Sequence, residues 1–199
     1  MIIGLTGGIA SGKSTAAKFL ASEGAHVMDG DFLGHRAYEP NTTAFSEIVE
    51  AFGTDIISHD GQVDRKVLGG KVFGNPEALK QLTDILWPEI RRMFSEWISK
   101  GKEKDPTALL VMDAAVLLEA GWEDLADETW VIIVPPNIAV ERAVARDGLN
   151  ADAVGKRIAS QLTNEERSAR GDVVIDNSGS EEEFISRLRE ELKRVKTSK

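Results

Sequence analysis

The sequence predicts an α/β protein built on a five-stranded parallel sheet with helices on both faces, and three observations carry that prediction. Five short apolar runs recur, at Ile2 to Leu5, Ala25 to Met28, Leu109 to Met112, Trp130 to Val134 and Val173 to Ile175. They lack the polar alternation of a half-exposed sheet, so they read as strands buried on both faces. Helical patterns separate them. The gap between the second and third runs is about eighty residues, far longer than one crossover needs, so a second lobe lies within it.

Each element follows from local chemistry. The first run feeds a Gly-rich stretch and then Ser14 to Ser22, whose Ala16, Ala17, Phe19 and Leu20 read as a helix. Within the long gap Leu79, Leu82, Leu86, Ile90, Met93 and Trp97 fall three or four apart, the spacing of one buried helical stripe. Pro88 interrupts it, which predicts a kink or two abutting helices near Trp87. Lys100 to Pro106 reads as a surface loop, and Glu181 to Lys196 as an amphipathic helix with Phe184, Ile185, Leu188 and Leu192 inward.

Composition narrows the function classes. The chain has 199 residues, with 24 Lys+Arg against 33 Asp+Glu and a formal net charge of -9. Its overall field opposes DNA and anionic membranes, so any phosphate is captured locally, and no nucleic-acid or membrane partner is expected. Cysteine is absent, which removes disulfides, thiolate metal sites and thiol nucleophiles and fits a reducing cytosol. No signal peptide or membrane-spanning run is read, so a cytoplasmic protein is expected. His26, His35 and His59 lack metal-ligand spacing with one another.

The stretch GLTGGIASGKST, Gly4 to Thr15, satisfies G-x-x-x-x-G-K-[ST] through Gly7, Gly12, Lys13 and Ser14. Backbone amides from Gly8 through Ala10, Ser11 and Gly12 to Thr15 wrap a phosphate, and the following helix N-terminus adds partial positive charge. Lys13 reaches the β- and γ-phosphates, and the Ser14 hydroxyl can ligate Mg²⁺. The expected ligand is ATP or GTP with magnesium.

Asp29 and Asp31 lie two apart at the end of the second run and are expected on one strand face, where a carboxylate can accept a hydrogen bond from an attacking hydroxyl. Asp31 is the candidate base, while Asp29 serves equally well as a helix cap. Arg142 and Arg146, one turn apart after the fourth run, read as lid residues that neutralise phosphates; Arg157, Arg167 and Arg170 follow in a polar helical stretch. Asp113 at the end of the third run is a candidate to hold Mg²⁺ through water, and Glu119 lies nearby in sequence.

These stretches, together with DGDFLGHRAY, DGQVDRKVLGGKVFGN, RDGL with KRIASQ, and DVVIDNSGS, occur in the order and spacing of one family. The chain resembles the dephospho-coenzyme A kinases over essentially its full length. That resemblance implies a P-loop kinase core at 1–31 and 106–199, a lid at about 140–170, and a helical lobe at 32–105 that takes dephospho-coenzyme A. It implies ATP and Mg²⁺ as cofactors; a monomer is the favoured expectation, with the oligomeric state left open by the sequence. It matches Asp31 to the base, Arg142 and Arg146 to phosphate-contacting arginines, and Asn177 to a residue near adenine. The candidate substrate-binding residues are Asp31, Arg65 and, by their position just after Asp31, His35 and Arg36, with an ordinary surface or packed role equally open for His35. Ala10 stands where the family often has Gly, which fits if that residue keeps a negative φ. Trp87-Pro88 and DAAVLLEAGW look more like the kinase half of fused coenzyme A synthases.

Two other classes stand beside this one. A kinase for a nucleoside monophosphate or shikimate would use the same loop, although the large insert suits a bulkier acceptor. A GTPase switch would need D-x-x-G, which Asp31 to Gly34 matches too close to the loop, and an Asn-Lys-x-Asp guanine reader, which does not occur.

Overall fold

The computed structural model describes residues 1–148 and 150–197; Leu149, within the RDGL stretch, lies outside the described residues. The chain begins β1 (Ile2–Gly7), α1 (Lys13–Ser22), β2 (His26–Asp29). Four helices follow, α2 (Gly30–Ala37), α3 (Thr43–Phe52), α4 (Arg65–Val72) and α5 (Pro76–Lys104). The remainder is β3 (Leu110–Asp113), β4 (Glu128–Ile133), α6 (Pro136–Asp147), α7 (Ala151–Ala159), α8 (Asn164–Arg170), β5 (Val173–Asp176) and α9 (Glu181–Thr197).

Two compact units result: Met1–Met28 with Lys100–Lys199, and Asp29–Ser99. In the first, the strands form one parallel sheet in the order β2-β3-β1-β4-β5. Central β1 pairs with β3 and β4, in a register that sets Leu5 beside Asp113 and Gly7 beside Ile132. The central strands β1, β3 and β4 are buried on both faces, as their lack of alternation requires, whereas the edge strands β2 and β5 are only partly covered and Val174 is 43% exposed. Ile3, Leu5, Trp130 and Ile132 meet Ala16, Phe19 and Leu20 of α1 and Phe184, Leu188 and Leu192 of α9 in one core. The indole N–H of buried Trp130 donates to Glu128 Oε2 at 3.0 Å, and Glu128 in turn pairs with Arg194 at 2.6 Å.

The second unit is helical around Ile48, Phe52, Ile56, Val63, Leu68 and Val72, with Leu82, Ile85 and Leu86 of α5 packed against them. Three expectations change here: of the expected loop at Lys100 to Pro106, Lys100 to Lys104 belong to α5, and the Pro88 alternatives and the buried stripe are both narrowed. Instead of two abutting helices, α5 runs through Pro88 as one element; the proline removes one donor from the ladder, and the flanking turns carry the helix on. The buried stripe is also shifted, because Leu79 is 43% exposed and the fully buried anchor is Phe94. Spacing alone defines a face only to within one residue of its edge.

Candidate active site

The loop between β1 and α1 is shaped by residues that tolerate unusual backbone. A Cβ on Gly7 would meet the Ile132 carbonyl oxygen at 2.7 Å, so only glycine lets β1 turn off the sheet there. Gly12, the N-cap of α1, is left-handed at φ 99° and packs against the Asn177 side chain. Ala10 is left-handed as well, at φ 54°, contrary to the expected negative φ. A non-glycine residue in this region costs about 1 kcal/mol or more, and the loop holds it there by hydrogen bonds on either side.

Those bonds are few and specific. Ser11 N–H donates to Gly8 O at 3.2 Å, Asn177 Nδ2 to Ser11 O at 2.7 Å, and Ile9 N–H to Gln161 Oε1 at 3.0 Å. Thr15 and Ala16 N–H both return to Gly12 O at 3.0 Å. Among the described residues, the amides of Ala10, Gly12, Lys13 and Ser14 have no acceptor, α1 has no side-chain cap, and its first turn carries no acidic residue. Helix mouths are normally satisfied by a cap or an anion. This one is built for an anion.

Lys13 Nζ lies 2.5 Å from Asp113 Oδ1, and Asp113 is only 8% exposed. The strand register that brings Asp113 beside Leu5 creates the contact. The Ser14 hydroxyl is exposed in the first turn of α1 and makes no hydrogen bond among the described residues.

Asp29 and Asp31 do not share a strand face. β2 ends at Asp29, whose side chain caps α2 by accepting from Asp31 N–H at 2.7 Å and Phe32 N–H at 3.4 Å. Asp31 therefore sits in the first turn of that helix, where strand alternation no longer applies, with its carboxylate exposed and unpaired among the described residues. In the same unit, exposed Arg36 lies over the Phe32 ring, 5.9 Å from its centroid, and pairs with Glu39 at 3.5 Å. His35 is exposed one position earlier on α2, and Arg65 is exposed at the start of α4.

The arginines after β4 divide sharply. Arg142 is half-buried on α6 without a hydrogen bond among the described residues. Arg146 is forked onto Asp147 at 2.7 Å to each oxygen, and its guanidinium holds the Asp147 carboxyl below the usual carboxylate range. Arg157 is exposed on α7. Arg167, read from sequence as one of several arginines in a polar helical stretch, is 0% exposed, pairs with Glu119 at 2.9 Å and donates from Nε to Leu162 O at 3.2 Å. Glu119 is thus a structural partner for Arg167. A cavity of about 460 Å³ lies between the loop residues Gly8, Ile9 and Ser11 and the start of α6, the end of α7 and the start of α8. Gln161 of the KRIASQ stretch borders it, and a lone Gln after a helix carries no signal in the sequence for the amide it will meet.

A strand, a glycine-turned loop, unclaimed amides at a helix mouth and an adjacent lysine together define a P-loop phosphotransferase. Comparison with known proteins narrows the class: the dephospho-CoA kinase family profile matches residues 1–183. A dephospho-CoA kinase from Geobacter sulfurreducens is 44% identical over 189 residues, covering 95% of each chain. The crystal structure of TT1252 from Thermus thermophilus is 35% identical with a TM-score of 0.80, covering 98% of this chain and 97% of that one. Dephospho-CoA kinase from Campylobacter jejuni is 26% identical with a TM-score of 0.75, covering 99% and 98%. The chain belongs to the dephospho-CoA kinase family. It is an ATP-dependent kinase, and none of its described helices is long and apolar enough to cross a membrane.

Proposed function

We propose that this chain transfers the γ-phosphoryl group of ATP to the ribose 3′-hydroxyl of dephospho-coenzyme A, acting as a cytoplasmic monomer, with the residue roles that follow. The observation that carries the reading is the set of unclaimed amides at Ala10, Gly12, Lys13 and Ser14, beside the Lys13 ammonium. Such a cradle holds polyphosphate, and it neutralises the charge on the β- and γ-oxygens as the transferred group separates.

Lys13 shifts its ammonium from Asp113 toward those oxygens. Arg142, with no hydrogen bond among the described residues, and Arg146, once released from Asp147, close from the lid side. Asp31 accepts the proton of the 3′-hydroxyl as its oxygen bonds to the γ-phosphorus and the bond to the bridging oxygen breaks, leaving ADP. His35, Arg36 and Arg65 bind the acceptor, and the Arg36–Phe32 contact offers a cationic and aromatic surface suited to a nucleotide. With its Nδ2 committed to Ser11, Asn177 braces the loop, and contact with adenine falls to its carbonyl oxygen.

Mg²⁺ fits the same site. No cluster of three metal-ligating carboxylates or histidines occurs among the described residues, but magnesium on a nucleotide takes its ligands mainly from phosphates and water. The free Ser14 hydroxyl would hold it, with Asp113 acting through water, and its charge would offset that of the phosphates.

The test supplies ATP and Mg²⁺ with dephospho-coenzyme A, AMP or shikimate in parallel and measures ADP. ADP should form only with dephospho-coenzyme A, and turnover confined to AMP or shikimate would overturn the acceptor. Asp31→Asn should lower kcat about a hundredfold with the KM for ATP kept, and an unchanged kcat would remove Asp31 from its role.

A further inference from the structure

One hydrogen bond joins the phosphate loop to the segment that follows the lid helix: Ile9 N–H donates to Gln161 Oε1 at 3.0 Å, across 152 residues of chain. We infer that Gln161 is a positioning residue, holding the phosphate loop in its nucleotide-binding shape and tying that shape to the lid.

The anchorage of Gln161 owes nothing to the loop. Its own N–H closes the last turn of α7 onto Ile158 O at 3.1 Å. The next residue, Leu162, gives its carbonyl to buried Arg167, which is itself fixed by Glu119. Thr163 then forms a reciprocal capping box with Glu166 at the start of α8, and Asn164 Nδ2 donates to Val134 O at 2.9 Å. The connection from α7 to α8 is therefore pinned to the sheet, and the Gln161 side chain projects from a fixed base. Only its oxygen can serve a backbone N–H, so the orientation of the carboxamide is set by its partner.

At the other end, the bond falls where the loop needs restraint. Ala10 is left-handed, and Ile9 immediately precedes it. Ser11, immediately after, is held through its N–H and its carbonyl. Among the described residues, Gln161 supplies the acceptor for the N–H of the residue directly before the strained one, so without it Ile9 N–H would lose that tether. The same bond occupies the Ile9 amide, so Ile9 is not among the unclaimed donors of the loop. A loop held in its bound shape loses less freedom when ligand arrives and binds more tightly.

The proposal rests on the loop holding nucleotide but not on the identity of the acceptor, so ATP binding to the full chain is measured by calorimetry with Mg²⁺ and no acceptor. Gln161→Met keeps the side-chain length and removes the acceptor. It should raise the Kd for ATP about tenfold, within reach of one lost hydrogen bond, and speed exchange of the Ile9 amide at least tenfold. The KM for dephospho-coenzyme A at saturating ATP should not move, a split that general loosening of the fold would not produce. Gln161→Glu retains an oxygen acceptor and should keep Ile9 slow to exchange, and it decides the matter if the Met variant does not fold. An ATP Kd and an Ile9 exchange rate within twofold of wild type in Gln161→Met, or a fast Ile9 in Gln161→Glu, would overturn the proposal.

Discussion

In the function proposed above, the phosphate loop and the lid arginines serve the same polyanion, yet they stand at opposite stages of readiness. The loop has its turn, its left-handed residues and its donors in position, braced by Gln161 and Asn177. The exposed arginines of the lid face solvent or grip a neighbour, as Arg146 grips Asp147. Backbone donors cannot be rotated into place cheaply after ligand arrives, so the fold fixes them beforehand. Long side chains can swing, and their rotamer freedom is surrendered only when phosphate rewards it. The contrast separates what must be rigid from what must close.

The largest effect that probes this contrast lies at Lys13. Lys13→Ala should lower kcat about a thousandfold, in the range of lost charge stabilisation in phosphoryl transfer. It should also destabilise the fold by about 3 kcal/mol, because the mostly buried Asp113 loses its ammonium partner. Adding Asp113→Ala should restore stability and leave activity lost. Unfolding midpoints and turnover measured side by side separate the two.

The arginines come next. Arg167→Ala should cost about 3 kcal/mol of stability, since a fully buried guanidinium and its pair with Glu119 disappear. Arg142→Ala should leave stability within about 0.5 kcal/mol and lower kcat about tenfold or more. If denaturant titration showed the two variants equally stable, the division between structural and catalytic arginines would fall.

The smallest effect concerns pH. The Arg194 guanidinium, helped by the Trp130 indole N–H, holds the Glu128 carboxyl below its ordinary range. A folded value below the unfolded one means that stability from this group is complete above the ordinary glutamate pKa of about 4.3 and is lost as pH falls through the folded value. The pair is partly solvated, so the amount is under about 1 kcal/mol. Wild type should lose that much more stability than Glu128→Gln between about pH 5 and pH 3, as read by acid unfolding curves.

Much of this was legible in the residues alone. The buried apolar runs and the loop motif carry their signal locally, so all five strands and the mouth of α1 fall where periodicity and glycine spacing put them. What stayed hidden depends on distant partners or on backbone handedness. Nothing near Lys13 announces Asp113, a hundred residues on. Arg167 reads as one more charge on a polar helix, because only the packed fold reveals that it is enclosed. The left-handed Ala10 escapes because alanine leaves no mark of φ, and Asp31 because a strand gave way to a helix one residue before it.

The closeness of Lys13 to Asp113 bears on turnover as well as on stability. In the proposed reaction an incoming phosphate would not meet an idle cation; it would compete with a resident carboxylate for the same ammonium. Affinity is then the difference between two pairings, smaller than either alone. On ADP departure, the lysine would have a replacement at hand, so product escape would leave neither charge of the pair without a partner.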